Sequence, residues 1–381
     1  HNPPKYNGYK IYDEDGCQLV PRFADKVVEY VNAVEDVFSI PVVPYEEACE
    51  QGLIEIIGKD IDDIYLDTVD TIQLRPNVQK KVKIVFTPLH GTSAMIGKMA
   101  LERNGYEVYA VEEQMIPDPN FSTVASPNPE NKESFEYALR LGEKVKADLL
   151  IATDPDADRL GIAVLHDGDY HLLTGNQTGA IMLHYILKTR KEQGTLPKKG
   201  MVYNTVVTSQ FGAKIAESFG MGVKSTLTGF KFIGEQAKLI ENSDVEFVFG
   251  YEESYGYVIK DFVRDKDSIQ ALLMASEIAN VGKQSGKTLV DYLNYLYSEY
   301  GYYKEDLVNI VLEGASGATK IKEIMSEFRI HAPKTAIGLK VVCVEDFLTS
   351  KRYENGVESD LDYPKSNVLK YTLSDGSWYV L

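Results

Sequence analysis

Cysteine is scarce in this chain of 381 residues: Cys17, Cys49 and Cys343 are the only three, odd in number and far apart. Such spacing supports neither a disulfide framework nor a thiolate metal site. It fits a reducing compartment, so the expected location is cytoplasmic. Long apolar runs are missing too. None approaches the roughly 18 residues of a membrane-spanning helix, which rules out such a span. Basic residues are outnumbered, 40 Lys and Arg against 57 Asp and Glu, for a net charge of −17. Sequence-independent nucleic-acid binding needs clustered Lys and Arg, and this balance argues against it. The charge–apolar–small pattern of a signal peptide is absent as well, and the chain begins at His1 rather than Met.

What is present is an ordinary globular composition, 44% hydrophobic and 25% charged, which leaves little room for disorder. The length suggests about two to four domains, each large enough for its own core. Both ends read as cut. HNPPKYNGYKIY opens as a loop already in progress, and YTLSDGSWYVL closes as an alternating strand with no turn after it.

The middle of the chain alternates β-rich runs with helical patterns. KVKIVFT (81–87) predicts a strand, Ser93 to Asn104 a helix stopped by Gly105, and YEVYAVEE a second strand. DLLIATD and RLGIAVL follow as strands, then a helix from about Asn176 to Lys191. The unit recurs as a strand at 201–207, a cap at Thr208-Ser209, a helix to Phe219 and a strand at GVKSTLT, and a helix from about Phe232 follows. Two copies of one α/β domain with parallel strands and crossover helices are expected, with ligands at the carboxyl ends of strands. Candidate boundaries fall near 75–80, 193–200 and 299–304. The tail, 305–381, reads as a strand, a helix over Thr319–Phe328 and further strands, a small α+β domain.

The sharpest chemical signal is DPDADR, directly after the strand DLLIAT. Asp154, Asp156 and Asp158 at i, i+2 and i+4 on a turn can converge on one hard cation, Mg²⁺ or Ca²⁺. An EF-hand would need Gly and Glu where Arg159 and Leu165 stand, so that motif fails. Arg159 beside a cation reads as a partner for phosphate oxygens. The plain alternative is a solvated acidic turn. In TPLHGTSAMIG (87–97), Gly91, Thr92 and Ser93 at a helix start could offer N–H groups to an anion. Composition alone favours an ordinary strand–turn–helix junction there, with His90 a bonded turn residue. TLTGFK (226–231) and GYEESYG (250–256) each follow a strand of the second copy. Glu252 and Ser254 on an extended segment face one way and could take sugar hydroxyls, or cap the next element. RDKD (264–267) offers two cations or a solvated face. In HNPPKYNGYK, His1 and Lys10 are the candidates for moving protons or binding phosphate, and a surface loop is the plain alternative.

Together and in this order, these segments resemble the α-D-phosphohexomutase family of phosphoglucomutases and phosphomannomutases. HNPPKYNGYK resembles the residues after that family's phosphorylated serine. DPDADR resembles its magnesium loop, TGFK its sugar-discriminating loop and YEES its G-E-x-S motif. PDPNFSTVASPNPE, LTGNQTGA and RDKD are similar to further family stretches.

The resemblance spans nearly the whole chain. It implies repeated α/β domains, each a mixed sheet between helices, plus a small α+β C-terminal domain. Residues 1–75 would be the C-terminal part of domain I, 76–195 domain II with the metal loop, 196–304 domain III with the sugar loops, and 305–381 part of domain IV. It implies an isomerase that interconverts hexose 1-phosphate and hexose 6-phosphate, glucose first. The reaction would run through a phosphoserine and a bisphosphorylated sugar, with Mg²⁺ and a glucose 1,6-bisphosphate-type primer. Asp154, Asp156 and Asp158 would hold the metal. His1, Lys10 and Arg159 would be catalytic, Lys10 as acid/base if its neighbours lower its pKa. Thr228, Gly229, Phe230, Glu252 and Ser254 would read the sugar, and Lys266 would bind phosphate. A phosphorylated hexose is the expected partner, with no nucleic acid and no membrane; the sequence is silent on oligomeric state. Mannose, pentose and glucosamine phosphates are alternative substrates, and a non-catalytic phosphosugar-binding protein or a Mg²⁺ phosphatase are rival readings. Three departures stand out. The nucleophilic serine would precede His1, and the R-P-S-G-T-E-P-type loop would follow Leu381, so the chain by itself is expected to be inactive. Gly256 stands where some members carry His.

Overall fold

The computed structural model describes residues 4, 5, 8–312 and 314–381. Two compact units divide the chain, one ending at Tyr303 and the other starting at Lys304.

The first unit begins with helices α1 (Pro21–Asn32), α2 (Tyr45–Glu50) and α3 (Gly58–Asp70). A proline at the first position of α1 suits its start, where the missing N–H has no intrahelical partner anyway. The first α/β repeat follows: β1 (Lys83–Thr87), α4 (Ser93–Arg103), β2 (Glu107–Ala110), α5 (Glu136–Val145), β3 (Leu149–Thr153), β4 (Leu160–His166) and β5 (Asp169–Leu173). Its sheet has the order β2-β1-β3-β4-β5. β2, β1 and β3 run parallel, while β3–β4 and β4–β5 are antiparallel. The sheet is therefore mixed, as the resemblance implies, with the parallel crossovers confined to β2, β1 and β3. The Asp loop joining β3 to β4 spans six residues, too few for a parallel crossover, so the chain must turn back on itself. Side chains alternate between two cores. Ile84, Phe86, Leu149 and Ile151 face the larger core, whereas Val85, Leu150 and Ala152 pack with Phe135 and Ala138.

The second repeat comprises α6 (Gly175–Glu192), β6 (Gly200–Thr205), α7 (Gln210–Ser218), β7 (Gly222–Thr226), α8 (Phe230–Ile240), β8 (Glu246–Tyr251) and β9 (Tyr257–Val258). Its sheet order is β7-β6-β8-β9, with only β9 antiparallel. Helices α9 (Ser268–Gln284) and α10 (Leu289–Tyr300) complete the unit. Both α6 and α9 are buried along nearly their whole length, because one core cluster runs from the first sheet through them to Val202 and Val248 of the second.

The second unit holds α11 (Gly314–Ile330), β10 (Thr335–Ala336), β11 (Leu339–Asp346), β12 (Lys351–Glu354), β13 (Val357–Asp360), β14 (Leu369–Leu373) and β15 (Trp378–Val380). Its sheet follows β13-β12-β11-β14-β15, with β10 beside β11. Two expectations are corrected here. Residues 304–312 form no strand, since extended backbone becomes a strand only with a partner ladder. The terminal run is two paired strands rather than one. Between them Gly376 takes φ 88° and Asp375 Oδ1 accepts the Ser377 N–H at 2.9 Å, an Asp-Gly hairpin turn. Among the described residues, no helix is long and apolar enough to cross a membrane.

Candidate active site

The Asp loop is held from three sides. At its start, Asp154 Oδ1 accepts the N–H groups of Asp158 at 3.0 Å and Arg159 at 2.9 Å, closing the turn on itself. Ala157 at its centre adopts φ 59°, and its carbonyl accepts from Ser268 N at 3.1 Å and Ser268 Oγ at 2.6 Å. From below, the Thr92 N–H donates to Pro155 O at 2.9 Å. A Cβ on Gly91 would lie 2.7 Å from Pro155 O, so only glycine lets this turn rest on the loop. That contact answers the question of residues 90–93. The Gly91 and Thr92 N–H groups are bonded within the protein, and His90 is held through both ring nitrogens, to Ile116 O at 2.8 Å and Thr123 Oγ1 at 2.7 Å. The segment is an ordinary junction that supports the loop.

The three carboxylates converge, with ligand oxygens all within 4.8 Å of one another. Asp154 and Asp158 are buried and Asp156 is exposed. Three cations surround them. Lys10 Nζ donates to Asp156 Oδ2 at 3.0 Å and Asp158 Oδ2 at 2.7 Å. Lys266 Nζ lies 3.0 Å from Asp158 Oδ2, and Arg159 Nε 3.8 Å from Asp154 Oδ2. Arg159 also pairs with Glu130. Burial, then the charges of Asp158 and Asp156, push the Asp154 carboxyl well up. Burial opposes ionisation of Asp156 as well, yet the Lys10 ammonium draws it down to about 2. Lys10 itself is raised: burial opposes the charge, but Asp158 and Asp156 overcome it. The lowered pKa that acid/base work by Lys10 calls for is therefore not what this pairing produces. Among the described residues, Asp158 Oδ1 is buried with no hydrogen-bond partner. Hard oxygen donors, one of them orphaned, fit a divalent cation.

The second loop, Glu252 to Gly256, is tied to the first. Arg159 and Gly256 form an antiparallel bridge, and the Leu160 N–H donates to Tyr255 O at 2.9 Å. Glu253 anchors the loop by accepting from Thr205 Oγ1 at 2.9 Å and Thr208 Oγ1 at 3.1 Å. Glu252 is buried at 5% exposure. Burial lifts its pKa to about 7 even though Lys266 and Arg159 oppose the rise. The protonated form is thus favoured in the fold, and the stability it lends is present below about 4.5 and lost as pH rises through about 7. Across that window Glu252→Gln is expected to gain on the order of 3 kcal/mol relative to the wild type, read as the difference between their thermal unfolding curves at a series of pH values. A pH-independent difference would refute the assignment.

Gly256 has a spatial reason. A Cβ there would meet Lys266 Cγ at 2.7 Å and Glu252 Oε1 at 2.9 Å, so the lysine stem fills the space. Gly256→Ala is expected to cost about 1–3 kcal/mol and to loosen the Lys266 ion pair, as a denaturant titration would show.

The remaining expected residues are distributed unevenly. Thr228 is exposed, Gly229 has φ 105° and Ser254 is partly exposed, all consistent with access to a ligand. Phe230 is not: its ring is 3% exposed in a cluster with Ile233 and Phe247, with Lys266 Nζ 5.8 Å above it. The amphipathic start of α8 turns its ring inward, beneath Lys266. Of the two cations in RDKD, only Lys266 joins the cluster; Arg264 pairs with Glu241 at 2.8 Å, and Asp267 caps α9. His1 lies outside the described residues. Sequence reasoning missed Glu130, although it stands in a quoted family stretch, and Tyr12, whose hydroxyl donates to Asp265 at 2.6 Å. It also missed the anchoring role of Glu253. A cavity of about 500 Å³ borders the Asp loop at Ala157, with Tyr12, Thr92, Arg264 and Lys266 in its wall.

Models of the phosphoglucomutase/phosphomannomutase α/β/α domains match residues 1–37 (domain I), 63–168 (domain II) and 174–300 (domain III). The phosphoglucomutase of Staphylococcus aureus strain MRSA252 is 37% identical over 381 residues, 99% of this chain and 67% of its own length. The chain belongs to the phosphoglucomutase/phosphomannomutase family. The Staphylococcus epidermidis phosphoglucomutase agrees, at 37% over 383 residues, covering 99% and 68%. The chain thus spans about two thirds of the length of these relatives. The same fold is seen in a Thermus thermophilus protein assigned as a phosphomannomutase, with TM-score 0.62 and 23% identity over 79% of this chain and 62% of that one. Paramecium parafusin, a phosphoglucomutase, gives 0.54 and 19% over 84% and 54%. Within this phosphohexomutase family, the Asp loop and the Glu252–Gly256 loop fall in the domain II and domain III matches.

Proposed function

We propose that these two loops form the site of an intramolecular phosphotransferase that interconverts hexose 1-phosphate and hexose 6-phosphate. Glucose is the sugar we assign, because both staphylococcal relatives are phosphoglucomutases. The observation that carries the reading is the bridge between Arg159 and Gly256, which joins the Asp loop to the Glu252–Gly256 loop. We assign residues 1–75 to the C-terminal part of domain I, 76–195 to domain II, 196–304 to domain III and 305–381 to part of domain IV.

Asp154, Asp156 and Asp158 would hold Mg²⁺, which when bound supplies positive charge against a phosphoryl group in transfer. Lys10, Arg159 and Lys266 add cations for phosphate oxygens, where phosphoryl transfer is catalysed by positioning and charge. The buried Glu252 carboxyl, with a pKa of about 7, can accept from or donate to a sugar hydroxyl near neutral pH. Ser254 and Thr228 offer hydroxyls beside it. A phosphoserine just before His1 is the donor the resemblance implies. A sugar oxygen bonds to its phosphorus, the P–O bond to serine breaks, and the hydroxyl proton leaves to a base. The bisphosphorylated sugar then returns its other phosphoryl group to the serine.

The chain extended by that serine and by the C-terminal phosphate loop is expected to interconvert glucose 1-phosphate and glucose 6-phosphate with Mg²⁺ and a glucose 1,6-bisphosphate primer. No turnover on any hexose phosphate would sink the proposal. Phosphate release without isomerisation would point to a phosphatase.

A further inference from the structure

A second cavity, of about 620 Å³, opens at the ends of α6 and α9 remote from the Asp loop. Gly175, the first residue of α6, packs against the backbone of Glu253, whereas Tyr185, Lys188 and Glu192 further along that helix line this cavity. The 18 residues of α6 span roughly 27 Å, so the two sites are separate.

Its charges do not balance locally. Glu192 is taken by Arg75 Nη2 at 2.5 Å, and Asp291 is committed to the cap of α10, accepting the Thr288 N–H at 2.8 Å. Lys188 lies over the Tyr295 ring at 5.8 Å; among the described residues, neither it nor Lys287 has an ion pair. Arg75 Nε itself is buried and has no hydrogen-bond partner among the described residues. Two exposed lysines and Arg75 thus share one wall with the carboxylates of Glu192 and Asp291, an excess of one positive charge. Tyr185, Tyr292, Ile278 and Leu289 supply aromatic and apolar surface, beside the hydroxyls of Thr189, Ser285 and Thr288. The volume falls in the ordinary range of small-molecule sites, about 300–1,000 Å³.

We propose that this cavity binds an anionic aromatic small molecule of the aryl phosphate or mononucleotide class. Its ring would pack on Tyr185 and Tyr292, and its anion would meet Arg75, Lys188 and Lys287. Cations and apolar rings sharing one wall are the complement of such a ligand.

The test is calorimetric titration of the whole chain with 1-naphthyl phosphate. Saturable one-to-one binding is expected, weakened at least about tenfold by joint Lys188→Glu and Lys287→Glu substitution. Both lysines are exposed, so the charge reversal leaves the fold in place. Binding is expected to persist in Asp156→Ala and in excess glucose 1,6-bisphosphate, which separates this cavity from the Asp loop. Affinity that survives the double charge reversal, that glucose 1,6-bisphosphate abolishes, or that inorganic phosphate alone matches would overturn the proposal. So would the lack of any saturable binding up to about 10 mM.

Discussion

Replacing Asp156 by alanine is expected to remove divalent-cation binding and metal-dependent turnover while leaving the protein folded. Asp156 is the exposed member of the carboxylate group, and its partner Lys10 is itself 38% exposed. An ion pair so placed contributes about 0–1 kcal/mol, so the unfolding temperature should scarcely move. The effect on a cation is of another order. Among the described residues three carboxylates converge, and even groups that merely orient a metal ligand change affinity by about 10–100-fold, so losing one of the three should cost more than about 100-fold. Calorimetric titration with Mn²⁺ reads the binding, and thermal unfolding confirms the fold. Unchanged Mn²⁺ affinity in the variant would refute the assignment of the loop.

Lys266→Met should have the opposite profile, a large loss of stability. Its side chain is 9% exposed, 3.0 Å from Asp158 and 3.3 Å from Asp265, and its stem fills the space beside Gly256. Methionine restores much of the volume but none of the charge. Removing one partner of a buried pair leaves the other uncompensated, at a cost of about 3–5 kcal/mol. The Lys10 ammonium 2.7 Å from Asp158 offsets part of that, so about 3 kcal/mol is expected, a drop of roughly 6–12 °C in unfolding temperature. Glu252 would lose the strongest of the charges that restrain its pKa, which should then climb above about 7. Lys266→Arg, which keeps the charge, should recover part of the loss. If the methionine variant unfolds within a degree or two of the wild type, the lysine is not the structural counter-ion described here.

The Asp loop was legible because its information is local. Three aspartates at alternate positions directly after the strand DLLIAT, with Pro155 between the first two, mark a turn whose carboxylates can converge. The antiparallel return of β4 was legible from the same six residues, since a connection that short cannot carry a crossover; the repeat pattern drew attention to the parallel strands instead. The Asp375-Gly376 turn was likewise written in the sequence and hidden by the alternation on either side. Other features depend on contacts that no local pattern encodes. Lys10 reaches Asp156 across 146 positions, so neither its partner nor the upward direction of its pKa could be read from HNPPKYNGYK. Phe230 stood in a recognisable motif, yet its burial is set by the core beneath α8. Gly256 became intelligible only once the Lys266 stem was seen in the space a side chain would need.

Where a cation and a phosphosugar sit decides the functional assignment most directly. A crystal grown with Mn²⁺ and glucose 1,6-bisphosphate would show both, the metal through its anomalous signal. The expected result is one strong peak within roughly 2.0–2.6 Å of oxygens from Asp154, Asp156 and Asp158, with a sugar hydroxyl hydrogen-bonded to Glu252 or Ser254. A metal bound away from this loop, or a sugar that touches neither Glu252 nor Ser254, would contradict it.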